Sequence, residues 1–265
     1  PPVARSAPNA AACAALTEAN GHWPDAGMRI LSAKSVDAGA VVPMGFAGNS
    51  PPLPAHCEVV GILKERVGQD GQNYAIRFKM RLPLEWNRRF LFQGGGGTNG
   101  DVGEALGTFA IGEMPALAQG FAVISQDSGH SNQLNADPAK GGAVSFGMDA
   151  EARADYGHAS LKLSYDAARA IMLRFYGSDP AYSYFAGCSK GGQEGMAFAQ
   201  RYPDSFDGII AGAPGFSLPK AAIAEAWDAQ AFASVIPAGQ DVSLAALSAT
   251  FSDADLGIAR QAVLE

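Results

Sequence analysis

One pentapeptide constrains this chain more than any other feature: Gly187, Cys188, Ser189, Lys190 and Gly191. The residues before it, 182–186, read as a strand, and those after it, 191–202, read as a helix stopped by Pro203. A strand that passes into a helix through so short a segment must turn sharply, which strains the central residue and lifts its side chain clear of the sheet. Such a turn needs small residues on both sides, and Gly187 and Gly191 supply them. The spacing matches the G-x-S-x-G elbow, so Ser189 is the candidate catalytic nucleophile. Upstream, Tyr156, Ala159, Leu163, Ala167, Ala170, Ile171 and Phe175 recur mostly at spacings of three and four, an amphipathic helix over 155–176 closed by Gly177 and Pro180. Downstream, 208–211 read as a further strand ending in Gly212, Ala213 and Pro214. Helix, strand, tight turn, helix, strand is the rhythm of an α/β fold on a parallel sheet.

The remaining elements extend that sheet. Over residues 74–82 the apolar Ile76, Phe78, Met80 and Leu82 alternate with Ala75, Arg77, Lys79 and Arg81, the pattern of a strand buried on one face and ended by Pro83. Short apolar runs at 90–92 and 121–124 read as buried central strands. Thirty-two glycines and sixteen prolines in 265 residues exceed the average share of roughly 12% and predict many tight turns. Three regions follow: an irregular or β cap over 1–70, an α/β core over 71–215, and an Ala-rich helical subdomain over 216–265 with no strand signal. Cys13 and Cys57 stand near the two ends of the cap. A disulfide between them would stabilise it by roughly 4 kcal/mol in the chain-entropy model, the other reading being two unrelated buried thiols.

Acyl transfer also needs donors where the tetrahedral oxyanion forms. The amide of Lys190, directly after the nucleophile, is one. Gly94, Gly95, Gly96 and Gly97 follow the strand at 90–92 and resemble the glycine-rich loop that supplies the second donor in esterases and lipases, which makes Gly95 and Gly96 the candidates. A phosphate loop would need G-x-G-x-x-G before a helix or a G-K-[ST] ending, and neither occurs. The base and acid are not visible. His22, His56, His130 and His158 all precede Ser189, whereas this fold orders its triad serine, acid, histidine. His130 and His158 read as hydrogen-bonded structural histidines, and Asp207 precedes its strand and so belongs at the wrong end of the sheet.

The balance of 19 basic and 26 acidic residues gives a net charge of −7, which excludes a nucleic-acid partner. No apolar run reaches membrane-spanning length, so no membrane partner is expected. The chain opens on Pro1 and Pro2 without Met, as a mature or trimmed product would, a start compatible with export. With three cysteines in all, one thiol is left over when two pair.

Together the segments from Asp155 to Pro214, with Tyr176-Gly177, residues 183–192, Gln200 to Pro203 and Phe206 to Pro214, resemble the tannase and feruloyl esterase family, which includes terephthalate monoester hydrolase. Gly94 to Gly100 and Asp127 to His130 fit as well. The resemblance implies an α/β-hydrolase fold with a lid inserted late, of which 216–265 would be only the start. It implies a secreted or periplasmic serine esterase acting on aromatic esters of the gallate, ferulate or terephthalate-monoester type. It further implies that Cys188 is disulfide-bonded to a cysteine after the catalytic histidine, in a missing C-terminal segment or a linked second chain, leaving Cys13 to pair with Cys57. No cofactor is expected for catalysis. A structural calcium is expected in the lid, with no metal ligands in this chain. The alternative is a non-catalytic binding or scaffold protein on a hydrolase fold.

Overall fold

A computed structural model describes residues 8–44, 48–108 and 113–264, which form two compact units, Pro1–Gly215 and Phe216–Glu265. In the first, helix α1 (Ala10–Glu18) begins at Asn9, whose side chain accepts the Ala12 amide, and buries Cys13 and Leu16. Three strands follow as an antiparallel ladder: β1 (Arg29–Val36), β2 (His56–Val67) and β3 (Asn73–Pro83). β3 then pairs antiparallel with β5 (Ala122–Gln126). Beyond β5 the sheet is parallel through β4 (Arg89–Gln93), β6 (Tyr182–Cys188) and β7 (Gly208–Gly212).

The strand order is β1-β2-β3-β5-β4-β6-β7. The chain leaves β4 to one neighbour, β5, and later returns to the other side as β6. The carboxyl ends of β4 and β6 therefore flank a crevice where the winding reverses, the place such sheets put their sites.

The alternation expected for β3 is present, with Ile76, Phe78, Met80 and Leu82 fully buried. On β4, Phe90 and Phe92 join one layer while Leu91 joins the other. The first layer carries helix α3 (Ser160–Tyr176) and helix α4 (Lys190–Arg201), with Phe198 4.8 Å from Phe206 and 5.4 Å from Phe92 between ring centres. The second holds Leu53, Leu106, Leu117 and Val123. Burying several aromatic rings at centroid separations of 4.5–7 Å supplies much of the core's cohesion.

Two expectations are corrected in detail. The region expected over 1–70 as an irregular or β cap contributes two strands to the central sheet itself, and β2 spans twelve residues. β1 follows an alanine-, proline- and glycine-rich start and shows no clear alternation, whereas β2 is rich in valine, isoleucine and leucine and is paired on both sides. The helix expected over 155–176 starts earlier, as α2 (Ala150–Ala154), and passes through a π turn at Asp155–Ala159 before α3. The Cys13–Cys57 disulfide is present, with Cα atoms 5.6 Å apart, and closes a separation of 44 residues. The second unit holds three helices, α5 (Leu218–Ala233), α6 (Leu244–Thr250) and α7 (Asp253–Leu264).

Candidate active site

Ser189 is exposed where β6 gives way to α4, at φ 58° and ψ −114°. A positive φ is costly for a residue with a Cβ and persists only where the surroundings over-determine it. Here they do. The Ser189 amide donates to Gly212 O at 3.0 Å, and its carbonyl accepts from Gln193 N at 3.0 Å and Gly215 N at 3.2 Å. The glycines of the elbow lie against backbone rather than side chains. A methyl on Gly187 would come within 2.7 Å of Gly191 Cα, and one on Gly192 within 2.3 Å of Gly212 O.

The glycine loop after β4 is packed on that elbow. Gly94 N donates to Ala186 O at 2.9 Å, a methyl on Gly94 would approach Gly191 Cα to 2.7 Å, and one on Gly191 would approach Gly95 O to 2.8 Å. Neither segment tolerates a side chain there, because the atoms it would meet are main chain. The structure thus brings Ser189, Lys190, Gly95 and Gly96 into one neighbourhood from two adjacent parallel strands.

One candidate donor is corrected. The Gly95 amide is engaged, donating to Glu194 Oε2 at 2.9 Å. Gly96 N–H, like that of Gly97, has no acceptor among the described residues, and of the two candidates it is the one that stays free. The Lys190 amide opens α4, where the first N–H groups have no partner within the helix.

Glu194 was not anticipated from the sequence. Its side chain is fully enclosed, and its Oε1 accepts from Asn99 Nδ2 at 2.9 Å, from Ser128 Oγ at 3.2 Å and from Gln126 Nε2 at 3.4 Å. Burial pushes its pKa up, while Lys190, Gly95, Asn99 and Ser128 pull it down. The clue available was a lone acid five residues after the nucleophile in a helix with three glycines and two alanines.

Lys190 is equally enclosed. Its Nζ donates to Tyr156 O at 2.9 Å and lies 3.7 Å from the centre of the Tyr156 ring, so the elbow is fastened to the π turn. Burial lowers its pKa and Glu194 opposes that shift. Asp127, after β5, accepts from Arg77 N and Gly129 N, and burial pushes it up to about 7 against the pull of Arg77.

None of the four histidines bonds Ser189. His22 is exposed. His56 donates from Nδ1 to Pro54 O and accepts Arg81 at Nε2, the neutral form that its burial also favours. His130 is a buried structural residue: its ring stacks on Phe146 at 3.9 Å, and burial pushes it down to about 4 against the opposing pull of the Ser128 and Thr98 backbone. His158 lies half-buried in the π turn, its Nδ1 without a partner. Asp207 accepts Ser183 N at 2.7 Å, at the end of β6 opposite Ser189. Cys188 is an exposed free thiol. Among the described residues no group of three or more His, Cys, Asp or Glu is placed to hold a metal ion.

A family model described as tannase and feruloyl esterase matches residues 57–249. Mono(2-hydroxyethyl) terephthalate hydrolase of Piscinibacter sakaiensis is 43% identical over 257 residues, covering 96% of this chain and 42% of that protein. A probable feruloyl esterase of Arthroderma benhamiae is 36% identical over 152 residues, covering 55% of this chain and 26% of that protein. The crystal structure of feruloyl esterase B from Aspergillus oryzae superposes with a TM-score of 0.65 at 24% identity, covering 87% of this chain and 41% of that one, a likeness of fold. The chain thus spans less than half the length of each of these proteins.

Proposed function

Because the chain belongs to the tannase and feruloyl esterase family, we propose that it carries the nucleophile and oxyanion site of a serine carboxylic ester hydrolase acting on esters of aromatic acids. The observation that carries this reading is the strained, exposed Ser189 beside the unengaged Lys190 N–H, with the glycine loop that bears the unengaged Gly96 N–H packed on the same elbow.

Ser189 Oγ attacks the ester carbonyl and transfers its proton to a base. The tetrahedral oxyanion draws on the Lys190 and Gly96 amides, and collapse expels the alcohol, which takes that proton. Water then attacks the acyl-enzyme, releasing the aromatic acid and regenerating Ser189. The base and its carboxylate partner are assigned to residues outside these 265, since no histidine here meets Ser189 and the relatives are more than twice as long. Cys188 is assigned to a disulfide with that same outside segment, Phe216–Glu265 to the start of a lid, and a structural calcium to lid residues not in this chain. Export to the periplasm or the medium fits a disulfide and the lack of any helix, among the described residues, long and apolar enough to cross a membrane.

The relative at 43% identity makes a terephthalate monoester the first substrate to try, with methyl ferulate and methyl gallate beside it. The reading is tested by treating the full protein with a fluorophosphonate and mapping the adduct. It predicts a single adduct on Ser189 and loss of aromatic ester hydrolysis with the same time course. An adduct elsewhere, or hydrolysis that survives full labelling, removes it; a folded protein that neither labels nor hydrolyses is a scaffold.

A further inference from the structure

We propose that Glu194 is a positioning residue of this site, its buried carboxylate fixing the glycine loop so that the Gly96 amide stands where the oxyanion forms. The proposal rests on the Ser189 reading above and adds to it a residue that touches no substrate.

The loop cannot fix itself. Gly96 and Gly97 have no side chains, and a methyl built on either would meet nothing within 4 Å, so no packing restrains them. Of the four consecutive glycines, Gly94 is bonded to Ala186 O and Gly95 to Glu194, and the Gly96 carbonyl accepts Asn99 N. Glu194 therefore grips the residue directly before the free donor. It grips the loop again through Asn99, whose side chain lies so close over Gly95 that a methyl there would be 2.2 Å from Asn99 Nδ2. From the far side Gln126, at the end of β5, and Ser128, in the turn after it, donate to the same carboxylate. One side chain on α4 thus ties the loop after β4, the turn after β5 and the helix that begins at the nucleophile.

The chemistry of the partners requires an acceptor on both oxygens. All four are donors, and Lys190, one helical turn before Glu194, adds a positive charge. A glutamine would place an NH₂ against at least one of these donors, leaving a buried donor facing a donor. A buried carboxylate so placed costs more than an apolar residue would unless its bonds are needed. Here they hold the loop at Gly95 and Asn99, beside the bond from Asn132 Nδ2 to Asn99 O at 2.8 Å.

The test is Glu194→Gln in the full protein, assayed on a p-nitrophenyl ester of an aromatic acid and against an arylboronic acid, whose tetrahedral adduct also places an oxygen in the oxyanion site. The variant is expected to keep its circular dichroism and to lose about 10- to 100-fold in kcat, as small misplacements of catalytic groups do. KM should stay within about threefold, since ground-state binding is untouched. The boronate Ki should weaken in parallel with kcat/KM, a correlation that mere loosening of the fold would not produce. Unchanged kcat and Ki, or kcat and KM failing together with the melting transition, would overturn the proposal. Where Glu194→Gln does not fold, Ser128→Ala decides: a fall in kcat of about threefold at constant KM supports the role, and wild-type kcat overturns it. Fluorophosphonate mapping of the wild type separates the two readings. Labelling at Ser189 with an inert Glu194→Gln change defeats the Glu194 role alone, whereas no labelling at Ser189 defeats both.

Discussion

The two halves of the sheet are held together by different means. In the antiparallel half, β1 to β3, side chains do the fastening. Cys13 is bonded to Cys57, Arg81 reaches Glu58, Glu104 and His56, and Arg66 makes a two-pronged pair with Asp149. In the parallel half, at the ends of β4 and β6, main chain packs on main chain at Gly94, Gly187, Gly191 and Gly192. Covalent and ionic fasteners add stability and tolerate adjustment around them. Backbone packing at the elbow, completed at the glycine loop by the Glu194 carboxylate, leaves little slack, which is what a site needs when it must keep Ser189 strained and its amide donors in place. The antiparallel half braces; the parallel half holds the geometry.

That division predicts which changes cost activity and which cost stability. The largest effect belongs to Ser189→Ala in the full protein: hydrolysis of aromatic esters should fall by about 10⁴-fold or more, with the melting transition nearly unchanged. Retention of a substantial fraction of turnover would mean that the elbow does not carry the chemistry. Next is Gly191→Ala, whose methyl would meet Gly95 O at 2.8 Å and the Gly94 carbonyl carbon at 3.1 Å. Separation of loop and elbow should cost about 10²-fold in kcat, together with about 1–3 kcal/mol of stability; near wild-type kcat would show that the close approach is dispensable.

On the bracing side, replacing both Cys13 and Cys57 by serine should remove about 4 kcal/mol in urea titrations while leaving kcat of the folded protein unchanged. A loss of kcat at full folding would break the division. The smallest effect is expected of Asp149→Asn. This carboxylate accepts Arg66, Gln69 N and Ala152 N, the last as the N-cap of α2, and the change should cost about 2 kcal/mol without altering turnover.

Asp149 also sets a pH dependence. Arg66, ahead of its backbone donors, holds this carboxyl well below the usual carboxylate range. A pKa depressed by folding means that the unfolded chain takes up the proton first. The stabilisation is therefore complete well above pH 4 and declines as pH falls through that value and below. Urea midpoints measured from pH 6 to pH 3 should fall less steeply for Asp149→Asn than for the wild type; parallel slopes would show that this pair contributes little.

Much of the site half was legible in advance because its signals are local. A strand, a serine between glycines and a helix follow one another within about twenty residues, and β3 displays its alternation openly. The bracing half was less legible. β1 lies in a stretch whose composition suggests loop, β2 mixes its apolar residues with His56, Glu58, Lys64, Glu65 and Arg66, and the pairing of the two joins residues far apart in the chain, such as Arg29 with Ile62. The π turn was hidden for another reason, since one extra residue per turn leaves the apolar spacing of the following helix intact.

Glu194 and Gly95 mark where sequence reading stops. That Ser189 sits at a strand-to-helix turn, that glycines must surround it and that a glycine loop follows an earlier strand are all properties of short segments, fixed by steric rules on the backbone. Which amide in that loop is free was decided only when β4 and β6 became neighbours and brought Gly95 within 2.9 Å of a carboxylate ninety-nine positions later in the chain. Hydrogen bonds have no preference for sequence distance, so the choice between Gly95 and Gly96 belongs to the tertiary structure.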